Sequence, residues 1–146
     1  MDSSFRLGTP GDFLSFRFLA EESCAGGYSE DLCFFVSAKV GPFLCSDLKI
    51  WIDRGSLKSF LTQIKENDVS TLAKFELSAM SPEEFKIEIE SSDSLGHYAV
   101  DVSCGKWLYV GESHHYCSMN VGLGVDQTDL AHLANYFWGL YGKGED

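Results

Sequence analysis

The chain has 146 residues and carries 22 acidic against 11 basic side chains, which gives a formal net charge of −11 at pH 7. Lys and Arg are not clustered along the sequence, so we expect no binding to nucleic acid, whose phosphates require clustered cations, and none to an anionic membrane surface. The hydrophobic fraction of 45% includes eleven Phe and is typical of a packed core, and the length fits a single domain over residues 1–146.

The cysteines are odd in number and show none of the short spacings of zinc sites or redox pairs. They are Cys24, Cys33, Cys45, Cys104 and Cys117. We find no signal-peptide pattern at the start, and every apolar run is far shorter than the ~20 residues that span a bilayer. We therefore expect a cytoplasmic protein whose thiols are reduced and pack as small hydrophobes, without a metal or any other cofactor.

The first third of the chain predicts a loose segment and then strands. Residues 1–12 are polar and Gly/Pro-containing, which predicts a loose N-terminal arm, and Phe13–Leu19 predicts a strand or a short edge segment. A loop is expected over 21–31. Leu32–Val40 and Phe43–Ile52 then alternate apolar residues and are separated by a Gly-Pro turn, so they predict an antiparallel pair.

The periodicity becomes helical after Asp53, which predicts an N-cap and a helix from Arg54 to Glu66. Alternation then returns and predicts a meander of four strands: Thr71–Ser78, Phe85–Glu90, Tyr98–Cys104 and Tyr116–Val125. Acidic first-turn residues at 126–129 open a second helix, which Gly142 ends. The predicted fold is α+β, an antiparallel sheet of about six strands with two amphipathic helices packed on one face, in the order β-β-α-β-β-β-β-α.

A strand, an Asp and then a helix occur twice, at Ile52-Asp53 and at Val125-Asp126. A duplication would explain this, but no further side-chain pattern is shared. We interpret it as a common way to leave a sheet.

The residues that could carry catalysis show no telling spacing. His114 and His115 are adjacent and would point to opposite faces of a strand, so an exposed turn explains them better than a metal site. The motif Gly122-Leu123-Gly124 does not form a nucleotide-binding loop, because it precedes Asp126, whose charge would repel a phosphate. We therefore predict that the protein is not an enzyme.

Carboxylates concentrate on one side of the predicted meander. If the alternation holds, Glu76, Glu88, Glu90 and Asp101 all point away from the core. A solvated sheet face is the ordinary explanation, and a docking surface for a basic protein is the functional one. Trp51 alternates with charged neighbours and could anchor such an interface or pack under the N-terminal arm.

The acidic meander and the closing Val125-Asp126-Gln127-Thr128-Asp129-Leu130 with its helix resemble the WapI-like immunity proteins. The resemblance is one of layout over residues 32–141. It implies a small bacterial protein that is not an enzyme and that neutralises a secreted toxin by covering its active site. Many such toxins are nucleases with basic surfaces, which implies that an acidic inhibitor imitates the charge of nucleic acid.

Our leading hypothesis is a binding protein that recognises a basic partner, such as a nuclease toxin, through Glu76, Glu88, Glu90, Asp101 and Trp51. A structural or oligomerisation domain that forms a homodimer through a sheet edge or Trp51 is the alternative. A small hydrolase built around His97, His114 or a cysteine is the third hypothesis.

Overall fold

The computed structural model describes residues 3–20, 31–68 and 71–143. Its strands are β1 (Ser3–Gly8), β2 (Phe13–Phe18), β3 (Asp31–Val40), β4 (Phe43–Asp53), β5 (Lys74–Ser78), β6 (Phe85–Ser91), β7 (His97–Val110) and β8 (Ser113–Asp126). Helix α1 (Arg54–Lys65) follows β4, and helix α2 (Gln127–Lys143) follows β8.

The strands form two antiparallel sheets of four strands each. Sheet A has the order β1-β2-β3-β4, and sheet B has the order β5-β6-β7-β8. The predicted α+β class with antiparallel pairing is confirmed, whereas the single sheet of about six strands is wrong. Alternation identifies strands, but it does not say whether β4 and β5, which flank α1, share hydrogen bonds.

The N-terminal segment is more ordered than predicted. Ser3–Gly8, expected to belong to a loose arm, pairs along its whole length with β2. Leu7 is buried and Phe5 packs against the core, so apolar side chains hold this strand in place. The loop predicted over 21–31 lies outside the described residues, except for Asp31, which begins β3.

Both helices begin at an aspartate that ends the preceding strand. The Asp53 carboxylate accepts the backbone N–H of Ser56 at 3.0 Å, which satisfies one of the unpaired donors of α1. At α2 the backbone N–H groups of Asp126 and Asp129 each donate to the other's carboxylate, at 3.0 and 2.9 Å. The second predicted helix therefore begins as expected, although it extends one residue past Gly142.

The two sheets and the helices share one hydrophobic core. Its centre is a cluster of Phe rings, in which Phe16 of sheet A makes edge contacts with Phe85 of sheet B at 5.9 Å and with Phe137 of α2 at 5.0 Å. Phe34 completes the cluster, 5.7 Å from Phe137. Edge-to-face geometry suits the ring quadrupoles, so these rings join the two halves of the chain.

Each half of the described chain has the same layout, a four-stranded meander followed by an Asp-capped helix. The repeated strand, Asp and helix, interpreted from the sequence as a common way to leave a sheet, are therefore part of a layout that both halves share. Neither helix that the structure describes is long and apolar enough to cross a membrane.

Candidate functional site

The outer face of sheet B carries the four predicted carboxylates. Glu76, Glu88 and Asp101 lie directly opposite one another on β5, β6 and β7, and Glu90 lies two residues from Glu88 on β6. Their apolar neighbours along each strand, including Ile87, Ile89 and Val100, are buried. The carboxylates therefore share the face that points away from the core, because successive side chains alternate across a strand.

Two lysines partly neutralise this acidic face, which we define by Glu76, Glu88, Glu90 and Asp101. Lys86 Nζ lies 2.9 Å from Glu88 and 3.4 Å from Glu76, and Lys74 Nζ lies 3.5 Å from Glu88. These cations hold the pKa of Glu88 below its usual range, Lys86 contributing more than Lys74, while Glu88 and Glu76 raise the pKa of Lys86. The ion pairs offset the repulsion between carboxylates on adjacent strands.

The acidic face continues onto bare backbone at β8. Gly122 lies opposite Asp101, and Gly124 lies opposite Ala99. A methyl group on Gly124 would meet no heavy atom within 4 Å, and one on Gly122 would lie 3.6 Å from the Asp101 carboxylate. The space above these glycines is open, so another molecule could approach the sheet backbone closely here.

The strands β7 and β8 extend well past the rest of sheet B. The last residue of β7 that pairs with β6 is Cys104, whereas the pairing of β7 with β8 continues to Val110 and Ser113. The segments 105–110 and 113–118, with their connecting turn, form a two-stranded projection that we call the ribbon. Most of its side chains are exposed, among them several large apolar ones: Trp107, Leu108, Tyr109, Val110 and Tyr116.

One side of the ribbon is a continuous row of aromatic rings. Tyr109 stacks on His114 with ring centroids 4.7 Å apart, and Trp107 lies 5.1 Å from His114 and 5.4 Å from Tyr116. Trp107 and Tyr109 alternate in step with Asp101 and Ser103, so this aromatic row is on the same side of β7 as the acidic face.

The base of the ribbon is fixed to the loop before β6. The Tyr116 hydroxyl donates a hydrogen bond to the carbonyl oxygen of Glu83, and the Gly105 N–H donates to the Glu84 carbonyl at 2.9 Å. Gly105 is buried beneath the Tyr116 ring, where a side chain would not fit. The ribbon is therefore held in a defined direction at its base.

Trp51 lies apart from the acidic face. It is half-buried on the outer face of β4 in sheet A, where it borders a shallow cavity with Asp31, Met80 and Glu84. Its carbonyl oxygen accepts the Met80 N–H at 2.8 Å. The N-terminal strand β1 is at the opposite edge of sheet A, so Trp51 does not pack beneath it.

The histidines considered for catalysis are not brought together. His97 begins β7 and bonds to Asp93 at 2.7 Å, which stabilises a turn and lowers the pKa of Asp93. His114 belongs to β8, not to a turn as predicted, and lies opposite Tyr109, roughly 40 Å along the strand from His97 at ~3.3 Å per residue. His115 points to the other side of the ribbon, as adjacent strand residues must. Among the described residues, no three His, Cys, Asp or Glu side chains are grouped to hold a metal.

A pair of thiols links the two sheets. Cys104 of β7 and Cys45 of β4 share a hydrogen bond, which lowers the pKa of Cys45 to about 7 despite partial burial. The same contact together with burial raises the pKa of Cys104. Cys45 is therefore the member of the pair that becomes a thiolate near neutral pH.

We expect Cys45 to react with iodoacetamide with a midpoint at about pH 7. Peptide-resolved mass spectrometry separates it from the exposed Cys117. The Cys104→Ala variant removes the thiol partner and should shift the midpoint up toward the usual value of about 8.5. A wild-type midpoint above about 8.5 would contradict the thiol contact.

The contact between Cys45 and Cys104 also makes the stability of the fold depend on pH. Because the folded chain releases the Cys45 proton at a lower pH than the unfolded chain, this thiol stabilises the fold increasingly between about pH 7 and about 8.5. Its contribution is lost as the pH falls through 7.

The outer face of sheet A carries both signs of charge, with Asp47 beside Arg6 and Arg17. Strand pairing gathers four cations there that are distant in sequence: Arg6, Arg17, Lys39 and Lys49. The Arg6 and Arg17 guanidinium carbons lie 4.6 and 4.7 Å from the ring centroids of Phe13 and Phe35. The expectation that no cations cluster therefore holds only along the sequence.

No protein-family model matches the chain, and neither a curated protein nor a solved structure matches it.

Proposed function

We propose that this protein is a binding domain, not an enzyme, that recognises a basic protein through the acidic face of sheet B. The alignment of Glu76, Glu88 and Asp101 in one row on the outer face carries the proposal, because it concentrates negative charge on one side of the molecule. Such a face attracts a basic partner over a distance set by the ionic strength.

The ion pairs with lysine indicate which carboxylates of the acidic face are open to a partner. Lys74 and Lys86 engage Glu88 and Glu76, while Glu90 and Asp101 make no ion pair within the part of the chain that the structure describes. Glu90 and Asp101 are thus the carboxylates most open to a partner's cations. Partner Lys or Arg side chains could also displace Lys86, whose ion pairs with Glu88 and Glu76 are partly exposed and therefore weak.

An immunity protein that neutralises a secreted basic toxin, such as a nuclease, fits this description. The layout resemblance to WapI-like immunity proteins supports the proposal, as does the net charge of −11. In this role the acidic face would occupy the surface on which the toxin binds nucleic acid, in the cytoplasm of a bacterium.

The test is charge reversal at one exposed carboxylate. We expect Glu90→Lys to weaken binding to the partner co-purified from the native cell by about tenfold at low salt. The wild-type affinity should also fall steeply with ionic strength. Isothermal titration calorimetry at several salt concentrations measures both effects.

Glu66→Lys is the matched control, because it makes the same charge change at the end of α1. It should change the affinity by less than about twofold. Equal effects of the two substitutions would mean that net charge, and not the acidic face, determines binding.

A further inference from the structure

The β6 side of the ribbon presents backbone groups that have no neighbouring strand among the residues that the structure describes. In β7, the N–H and C=O groups of odd-numbered residues point toward β6, as the hydrogen bonds of His97 with Ser92 and of Gly105 with Glu84 show. Trp107 and Tyr109 continue this alternation. Within the described residues, the Gly105 bond is the last on this edge, because the chain turns away at Ser81–Glu84.

The edge of the ribbon differs from an ordinary solvated sheet edge because its exposed side chains are large and apolar. Tyr109 is 75% and Val110 61% exposed. Edge strands in natural proteins are usually protected by charges, prolines or short length, and exposed apolar clusters mark interaction sites. The ribbon has only Lys106 as a charged residue on this strand, so its edge is poorly protected against strand pairing.

We propose that the edge of β7 at Trp107–Tyr109 binds an extended segment of a basic protein as an added strand. This strand would lie on the same side of β7 as β6, beyond the point where β6 ends. This inference rests on the proposed function for the charge of the partner and adds where and how the partner binds. Main-chain hydrogen bonds would provide affinity, and alternate side chains of the added strand would contact the aromatic row.

Charge complementarity favours a basic segment over a second copy of this chain as the added strand. The ribbon is bordered by the acidic face and by Glu83, Glu84 and Glu112. Edge-to-edge pairing of two copies would bring these carboxylates together in a chain of net charge −11, whereas Arg or Lys side chains on an added strand would be attracted to them. Arg side chains can also lie over the exposed Trp and Tyr rings.

The test uses amide hydrogen exchange with a defined probe, the blocked peptide Arg-Val-Arg-Val-Arg at millimolar concentration. We expect exchange at Trp107 and Tyr109 to slow by about tenfold, while Leu108, whose N–H points to β8, is unchanged. The acidic peptide Glu-Val-Glu-Val-Glu should have no effect. Absence of protection by the basic peptide would overturn the proposal.

Tyr109→Pro separates backbone pairing from charge. Proline removes the N–H on the β6 side and leaves the pairing with β8, so the ribbon should persist while peptide protection at Trp107 is lost. Tyr109→Thr keeps the N–H and should retain the protection. If Tyr109→Pro, with an unchanged thermal midpoint, still shows protection, the added-strand proposal is wrong.

These variants also distinguish failure of the acidic-face function from replacement of the basic segment by a second copy of this chain. If Glu90→Lys leaves protection unchanged and Tyr109→Pro abolishes it, the ribbon binds by strand addition and the acidic-face function fails. Protection at Trp107 that grows with protein concentration in the absence of peptide, together with a dimer in light scattering, would replace the basic segment with a second copy.

Discussion

Phe16→Ala is expected to lower the free energy of unfolding by about 3–5 kcal/mol, the usual range for removing a fully buried phenyl ring. Phe16 is 1% exposed and contacts Phe34, Phe85 and Phe137, which belong to sheet A, sheet B and α2. Alanine would leave a cavity where these three elements meet. Guanidinium denaturation followed by circular dichroism and by tryptophan fluorescence measures the loss.

Phe43→Ala is the control, because Phe43 is 60% exposed and should cost less than about 0.5 kcal/mol. Since Phe16 joins both halves, wild-type and variant transitions should coincide for the two probes. Two separate transitions in the wild-type protein would show that the halves unfold independently, and a loss below about 1.5 kcal/mol would show that the Phe cluster is not central.

Gly105→Ala is expected to be the second most damaging substitution, with a loss of about 2–3 kcal/mol. The added methyl would lie 2.6 Å from the Glu83 carbonyl oxygen and still closer to the Tyr116 hydroxyl. Both groups would have to move, which breaks their hydrogen bond and loosens the base of the ribbon. Thermal denaturation gives the stability, and amide exchange in 113–118 reports the ribbon.

Gly124→Ala provides the comparison within the same hairpin. A methyl there meets nothing within 4 Å, so the substitution should be neutral or slightly stabilising through the unfolded chain. If both glycines tolerate alanine equally, the tight packing of Tyr116 over Gly105 is not maintained in solution.

The strands could be predicted wherever one side is buried. From Asp31 to Asp126 the alternation of apolar and polar residues identifies every strand that the structure describes, because each has one core face. The predicted end of β7 at Cys104 is six residues short, since from Lys106 onward neither side is buried and alternation carries no information. Strand β1 was missed because Ser, Arg and Gly leave only Phe5 and Leu7 as signals.

The candidate site could be predicted in part for the same reason. Glu76, Glu88 and Asp101 share a face because period-two alternation and hairpin register are local properties. The separation of Trp51 from this face depends on β4 and β5 lying in different sheets, which only the packing of the whole core decides. One feature of the sequence could have indicated the ribbon, namely the unbroken apolar run Trp107–Val110 beside a Gly-Glu turn.

The strand order also bears on how the chain folds. Every hydrogen-bonded strand pair joins consecutive strands, so each sheet is built without a crossover. Except for the connection between β2 and β3, these pairs close only short loops, whose ordering entropy is small. Contacts between residues distant in sequence are made chiefly when the two halves meet at the Phe16, Phe85 and Phe137 rings. We therefore expect the meeting of the two meanders to be the slow step of folding, because it requires contacts between residues distant in sequence.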